Sequence, residues 1–175
     1  MNFCARRFNL YLLFPLLLTL AAGCATDKKD EKLGGLRVHI ESSANAPGSG
    51  QVISVLRDKP VSVTVGPEPV LTEANIVGAK LLETPGGFAV EVKFDQSGTW
   101  LLEQYTATTP GKHFVIFGQW GDKLATTRWL AAPIITHRVG DGVFSFTPDA
   151  DRDEMTQLVL GLNNFAKKKA KDLMK

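Results

Sequence analysis

From Phe8 to Leu20 the chain is apolar except where Asn9, Pro15 and Thr19 interrupt it, and no later stretch of its 175 residues repeats such a run. Thirteen residues fall short of the ~20 that a helix needs to cross a bilayer, and Pro15 breaks the helical ladder near the middle. Arg6 and Arg7 precede the run and Ala21, Ala22 and Gly23 come after it, the positive–apolar–small order of an export signal. Residues 1–23 are therefore expected to be removed, and the remaining chain must bury a core of its own. Its length is that of one domain and needs no covalent staple. The two cysteines are Cys4, inside the signal, and Cys24 at its end. The domain beyond Cys24 has neither thiol nor disulfide, which excludes thiol catalysis, thiolate metal sites and redox chemistry together.

Leu20-Ala21-Ala22-Gly23-Cys24 resembles the lipobox of bacterial lipoproteins. The leucine favoured three residues before the cysteine is here Ala21, with Leu20 one place earlier. An ordinary signal peptide with an incidental cysteine and an uncleaved anchor are the alternatives. The resemblance implies cleavage before Cys24 and lipid attachment to its sulfur. Several acyl chains at ~0.8 kcal/mol per buried methylene would make that anchor effectively permanent. Ala25 stands where an aspartate would favour the inner membrane, so the periplasmic face of the outer membrane is expected if the cell has one. Residues 24–35, charged and ending in Gly34-Gly35, read as a flexible tether.

Of 20 basic side chains, Arg6 and Arg7 lie in the signal, which leaves 18 against 18 acidic ones. A neutral domain offers no electrostatic case for nucleic acid, and none is expected as a partner.

Beyond the tether, the segment 36–70 reads as β. Leu36, Val38 and Ile40 alternate with polar residues, and 52–56 and 61–65 are β-rich. In 71–175 the pattern becomes mixed. Thr72 caps a short turn, a strand lies near 79–83, Pro85-Gly86-Gly87 reverses the chain, and 88–94 returns as a hairpin partner. Asp95 or Ser97 starts a helix to Thr108 that should turn Trp100, Leu101, Leu102 and Tyr105 toward the sheet. Strands are expected at 113–118, 123–130 and 143–147, with Gly118-Gln119-Trp120-Gly121 as a turn. The last helix is the clearest element. Met155, Leu158, Val159, Leu162, Phe165 and Ala166 recur at helical spacing, between an acidic start and a lysine-rich end. This order predicts an α+β fold, a largely antiparallel sheet with two main helices packed on one face.

Chemistry-bearing motifs are absent. His39, His113 and His137 sit on separate expected strands without metal-ligand spacing. Asp149, Asp151, Asp153 and Glu154 look like a calcium loop only superficially. That loop needs glycine sixth and a carboxylate twelfth, where this chain has Glu154 and Leu160. Lys167, Lys168, Lys169 and Lys171 read as a solvated helix end, with contact to anionic lipid, at ~1 kcal/mol each near a surface, as the alternative. No catalytic residue, metal ligand or cofactor is expected, and the chain is read as a non-enzyme.

From Leu71 to Leu162 the sequence resembles the head subdomain of the first periplasmic domain of SecD, in the SecDF family of the Sec translocase. The residues that carry the resemblance begin with Leu71-Thr72-Glu73-Ala74-Asn75-Ile76, Val90-Glu91-Val92-Lys93-Phe94 and Gly98. Thr106, Gly111-Lys112 and Phe114-Val115-Ile116-Phe117 come next, then Ala131-Ala132-Pro133-Ile134-Ile135, Asp141-Gly142, Phe146-Thr147-Pro148 and Glu154. Two departures stand out. SecD carries several transmembrane helices where this chain has none after its signal, and the Asp-Gly turn after the apolar strand is displaced to Gly121-Asp122-Lys123. The resemblance implies a ferredoxin-like α+β head that meets unfolded, exported polypeptide, as a tethered accessory to protein export. A structural, envelope-assembly lipoprotein using the same fold as scaffold, with one envelope protein as partner, is the alternative.

Overall fold

The computed structural model describes residues 32–42 and 50–174. Cys24, the signal and most of the expected tether lie outside them. Among the described residues the strands are β1 (Gly35–Ile40), β2 (Gln51–Val55), β3 (Val61–Val65), β4 (Ile76–Thr84), β5 (Gly87–Phe94), β6 (Phe114–Trp120), β7 (Thr126–Ala131) and β8 (Val143–Phe146). Two helices, α1 (Gln96–Thr108) and α2 (Arg152–Leu173), complete the α+β fold. All pairings are antiparallel, in the orders β1-β6-β7, β2-β3 and β4-β5-β8.

One core, containing Leu36, Val38, Leu71, Val90, Leu102, Phe114, Ile116, Met155, Leu158 and Leu162, draws on the first and third sheets and both helices. A second, smaller cluster of Ile53, Val55, Val63, Val65 and Val115 seats the β2–β3 hairpin against β6. Strand β1, from the segment 36–70, pairs along its whole length with β6.

Local signals set most boundaries. Thr72 caps the short turn Glu73–Asn75, its hydroxyl accepting from the Ala74 N–H at 3.3 Å. Asp95 caps α1 through the Gly98 N–H at 2.8 Å. Gly98 is needed there because a Cβ would stand 2.8 Å from Asn75 Cβ and 3.0 Å from Phe94 Cβ.

Tertiary packing moved other expectations. Trp100 is 64% exposed, not turned to the sheet, while Leu102, Gly98 and Thr106 form the buried face of α1. Two residues from Leu102 is about 200° around a helix, so both cannot face the core. Gly118, Gln119 and Trp120 are strand rather than turn, and Trp120 is buried. Gly118 makes room for Leu130, whose Cδ1 would lie 2.5 Å from a Cβ there. The reversal comes at Gly121 (φ 85°), and Lys123 and Leu124 are also left-handed, which delays β7 to Thr126. On α2, Met155, Leu158 and Leu162 are fully buried, whereas Phe165 is only partly buried and outside the main cluster.

Residues 32–35, at the end of the expected tether, are docked. Gly34 is buried against α2, where a Cβ would meet Leu158 O at 2.8 Å and Leu162 N at 3.0 Å. Asn164 Nδ2 donates to Lys32 O at 3.0 Å.

Candidate polypeptide-binding groove

The β4-β5-β8 sheet has two edges, and they are treated differently. On β4, Ala79 turns its N–H and C=O away from β5, and Asn163 of α2 takes both. Its Oδ1 accepts from Ala79 N at 2.9 Å and its Nδ2 donates to Ala79 O at 2.9 Å. The side-chain amide does there what a neighbouring strand would do, and caps that edge at Ala79. The Lys80–Glu91 ion pair at 2.9 Å braces the same strand.

The opposite edge is β8, which pairs with β5 alone among the described residues. Phe94 N donates to Gly142 O at 2.9 Å, and antiparallel alternation then assigns Phe144 and Phe146 to the β5 bonds. Val143 and Ser145 therefore turn their backbone groups outward. The Val143 N–H is taken by Asp141 Oδ1 at 3.1 Å, which leaves exposed Ser145 to present both N–H and C=O at the edge.

Beside this edge runs a groove of about 660 Å³, lined by Thr106, Phe114, the segment 133–141 and Val143 to Ser145. Its apolar floor includes Phe114 and Phe144, in edge-to-face contact at 5.6 Å, and Ile134 stands 56% exposed on its wall. The far wall has no regular structure but is bonded at several points. Gly111 N donates to Ile135 O at 2.9 Å, Ile135 N to Lys112 O at 2.8 Å and Phe114 N to Pro133 O at 2.9 Å. Buried Thr106 donates to Leu102 O at 2.7 Å and accepts from Val139 N at 3.0 Å, tying the wall to α1. Arg138 pairs with Glu103 at the rim.

Thr106, Phe114, Pro133-Ile134-Ile135 and Asp141, among the residues that carry the family resemblance, line this one groove, and Gly111 and Lys112 bond to its wall at Ile135. Asn163 and the outward register of Ser145 escape a sequence reading. A lone asparagine on a helix carries no signal of the strand it will cap, and a four-residue strand does not reveal its register.

The histidines and the acidic cluster lie in separate surroundings. His113 Nδ1 bonds Glu41 Oε2 at 2.7 Å, and that hydrogen bond holds the Glu41 carboxyl below its ordinary range. His39 is buried, bonds Gly66 O at 3.1 Å and meets Trp129 edge-on at 5.4 Å; burial pushes its pKa down. His137 contacts the Thr136 hydroxyl at 3.0 Å. The carboxylates near 149–154 are engaged by arginines and by the helix start. Arg57 pairs with Asp149 at 3.1 Å, and Arg128 grips Glu154 in bidentate fashion at 2.8 and 3.0 Å. Burial works to raise the Glu154 pKa, but the Arg128 bonds and the Asp151 N–H together hold it low. Among the described residues no group of three His, Cys, Asp or Glu is placed to hold a metal ion. No described helix is long and apolar enough to cross a membrane.

Comparison with solved structures decides the fold. A structure of SecDF in its super-membrane-facing form superposes with a TM-score of 0.53 at 17% identity over 77% of this chain. The fold is SecD-like. A second SecDF structure, of a membrane component that enhances protein export, gives a TM-score of 0.51 at 15% identity over 77% of this chain. The chain spans 19% of the first SecDF chain and 64% of the second. No protein-family model matches the sequence, and no curated protein matches it. At such identity the SecD-like architecture is what the two share.

Proposed function

We propose that this chain is an exported, non-enzymatic lipoprotein, anchored through Cys24, whose SecD head-like domain binds extended segments of exported polypeptide. The observation that carries the reading is the asymmetry of one sheet. Asn163 caps the β4 edge at Ala79, while β8 offers Ser145 beside an apolar groove. An extended chain laid along β8 would exchange backbone hydrogen bonds with Ser145 and drop alternate side chains toward Phe144 and Ile134. So short an edge gives few backbone bonds, which suits a weak, sequence-tolerant grip on a passing chain. Protein export is the process that the likeness to SecDF favours.

A photo-crosslinker at Ser145 in intact cells tests this. Assorted unfolded secretory chains are the expected catch. One stoichiometric envelope partner would favour the scaffold reading, and equal capture from a crosslinker at Lys80, beside the Asn163 cap on β4, would refute the groove. Ser145→Pro gives a second arm. It removes an N–H that no described group uses, so stability should change little while binding is lost.

A further inference from the structure

Where the chain enters the domain, it lies along α2. Asn164 holds Lys32 O at 3.0 Å, and Gly34 rests on the backbone of Leu158 and Leu162. Successive helical residues turn about 100°, so Lys167, Lys168 and Lys171 all stand within about 60° of the Asn164 direction. They begin one turn beyond the point where Lys32 docks, and all three are exposed, as is Lys32. Among the described residues, the other charges at this end of α2 are Asp172, about 80° from Asn164, and Lys169. Lys169 turns elsewhere, to Asp95 Oδ2 at 3.1 Å and to Ala74 O. The helix dipole acts within the last turn. It accounts for Lys171 but not for Lys167 and Lys168, which lie more than a turn before Leu173.

We infer that this stripe is a membrane-facing surface that engages the headgroups of anionic phospholipids in the bilayer that holds the chain. The inference rests on the Cys24 anchor of the proposed function. Eight residue steps join Cys24 to Lys32 and span at most ~28 Å. The lipid therefore keeps the start of the domain, and the lysines that begin beside it, within that reach of the surface. Attraction of this kind falls off within a Debye length, so a short tether is what lets three lysines act. Docking on this side would set the domain's orientation on the membrane.

Lysine footprinting of the full acylated chain tests the surface. The chain is placed in vesicles of phosphatidylcholine alone or of phosphatidylcholine mixed with phosphatidylglycerol, then labelled with an amine-reactive reagent. Lys167, Lys168 and Lys171 should label severalfold more slowly on the anionic vesicles, and salt should abolish the difference. Exposed Lys59 and Lys123 serve as internal references and should not change. Equal labelling of the three lysines on both vesicles would overturn the surface. The mass of the peptide that contains Cys24 reports the anchor separately. If it carries no acyl group, the anchor fails, and labelling with added anionic vesicles still decides the surface: protection keeps it and equal rates end it.

Discussion

Gly161→Ala is the sharpest probe of how the entering chain meets α2. On an isolated helix this change should stabilise by about 1 kcal/mol, because alanine is the better helix former. Here a Cβ at 161 would stand 2.5 Å from the carbonyl carbon of Leu33 and 2.8 Å from Gly34 Cα, with Gly34 N closer still. These three nearest atoms are all backbone, so no side-chain rotation relieves them. Gly34 is pinned from its own side, since a Cβ there would meet Leu158 O at 2.8 Å. Relief requires the start of β1 to lift from the helix, which places the cost near the upper end of the overpacking range, ~3 kcal/mol. Set against the propensity gain, the net loss is about 2 kcal/mol, or about 4–8 °C in Tm for a domain of this size. Thermal and urea unfolding would measure it, with the exposed neighbour Leu160→Ala as a control expected to stay within ~0.5 kcal/mol. A rise in Tm for Gly161→Ala would show that residues 32–35 do not pack here.

Burial and hydrogen bonding elsewhere in the domain set further expectations. Leu158→Ala, at a fully buried site, should cost ~2–5 kcal/mol, and Phe165→Ala clearly less because Phe165 is only partly buried; equal denaturant midpoints would contradict the α2 register. His39 has a lowered folded pKa, so the unfolded chain takes up the proton first and stability falls as pH drops below 6.5 toward the folded value. His39→Gln should flatten that slope in pH-dependent unfolding, and an unchanged slope would assign it elsewhere. Glu41, lowered by its His113 bond, adds a loss at more acid pH, as pH falls from 4.5 through its folded value. Cys24→Ser should abolish acylation and leave the precursor uncleaved, and radiolabelled palmitate incorporated normally by the variant would end the anchor reading.

The elements marked by a short period, a turn or a cap are legible in the amino-acid order itself. Alternation along 36–40 and 88–94, the Pro85-Gly86-Gly87 reversal, the Thr72 and Asp95 caps and the Met155–Leu158–Leu162 stripe are local signals, because pleat, turn and helix impose short periods on the chain. Their order implies the α+β class. Features that depend on distant partners carry no such signal. Trp100 is as apolar as Leu102, and only the sheet beneath α1 decides which of them is buried. Gly118 looks like a turn residue until Leu130 is folded onto it, and Gly34 looks like tether until Gly161 lies against it. The groove draws its walls from Thr106 to Ser145, and its meaning depends on one asparagine 84 residues from the strand it caps. Hydrogen bonds and close contacts at such separations leave no periodic trace, so tertiary packing alone determines which strand edge is capped and which is offered.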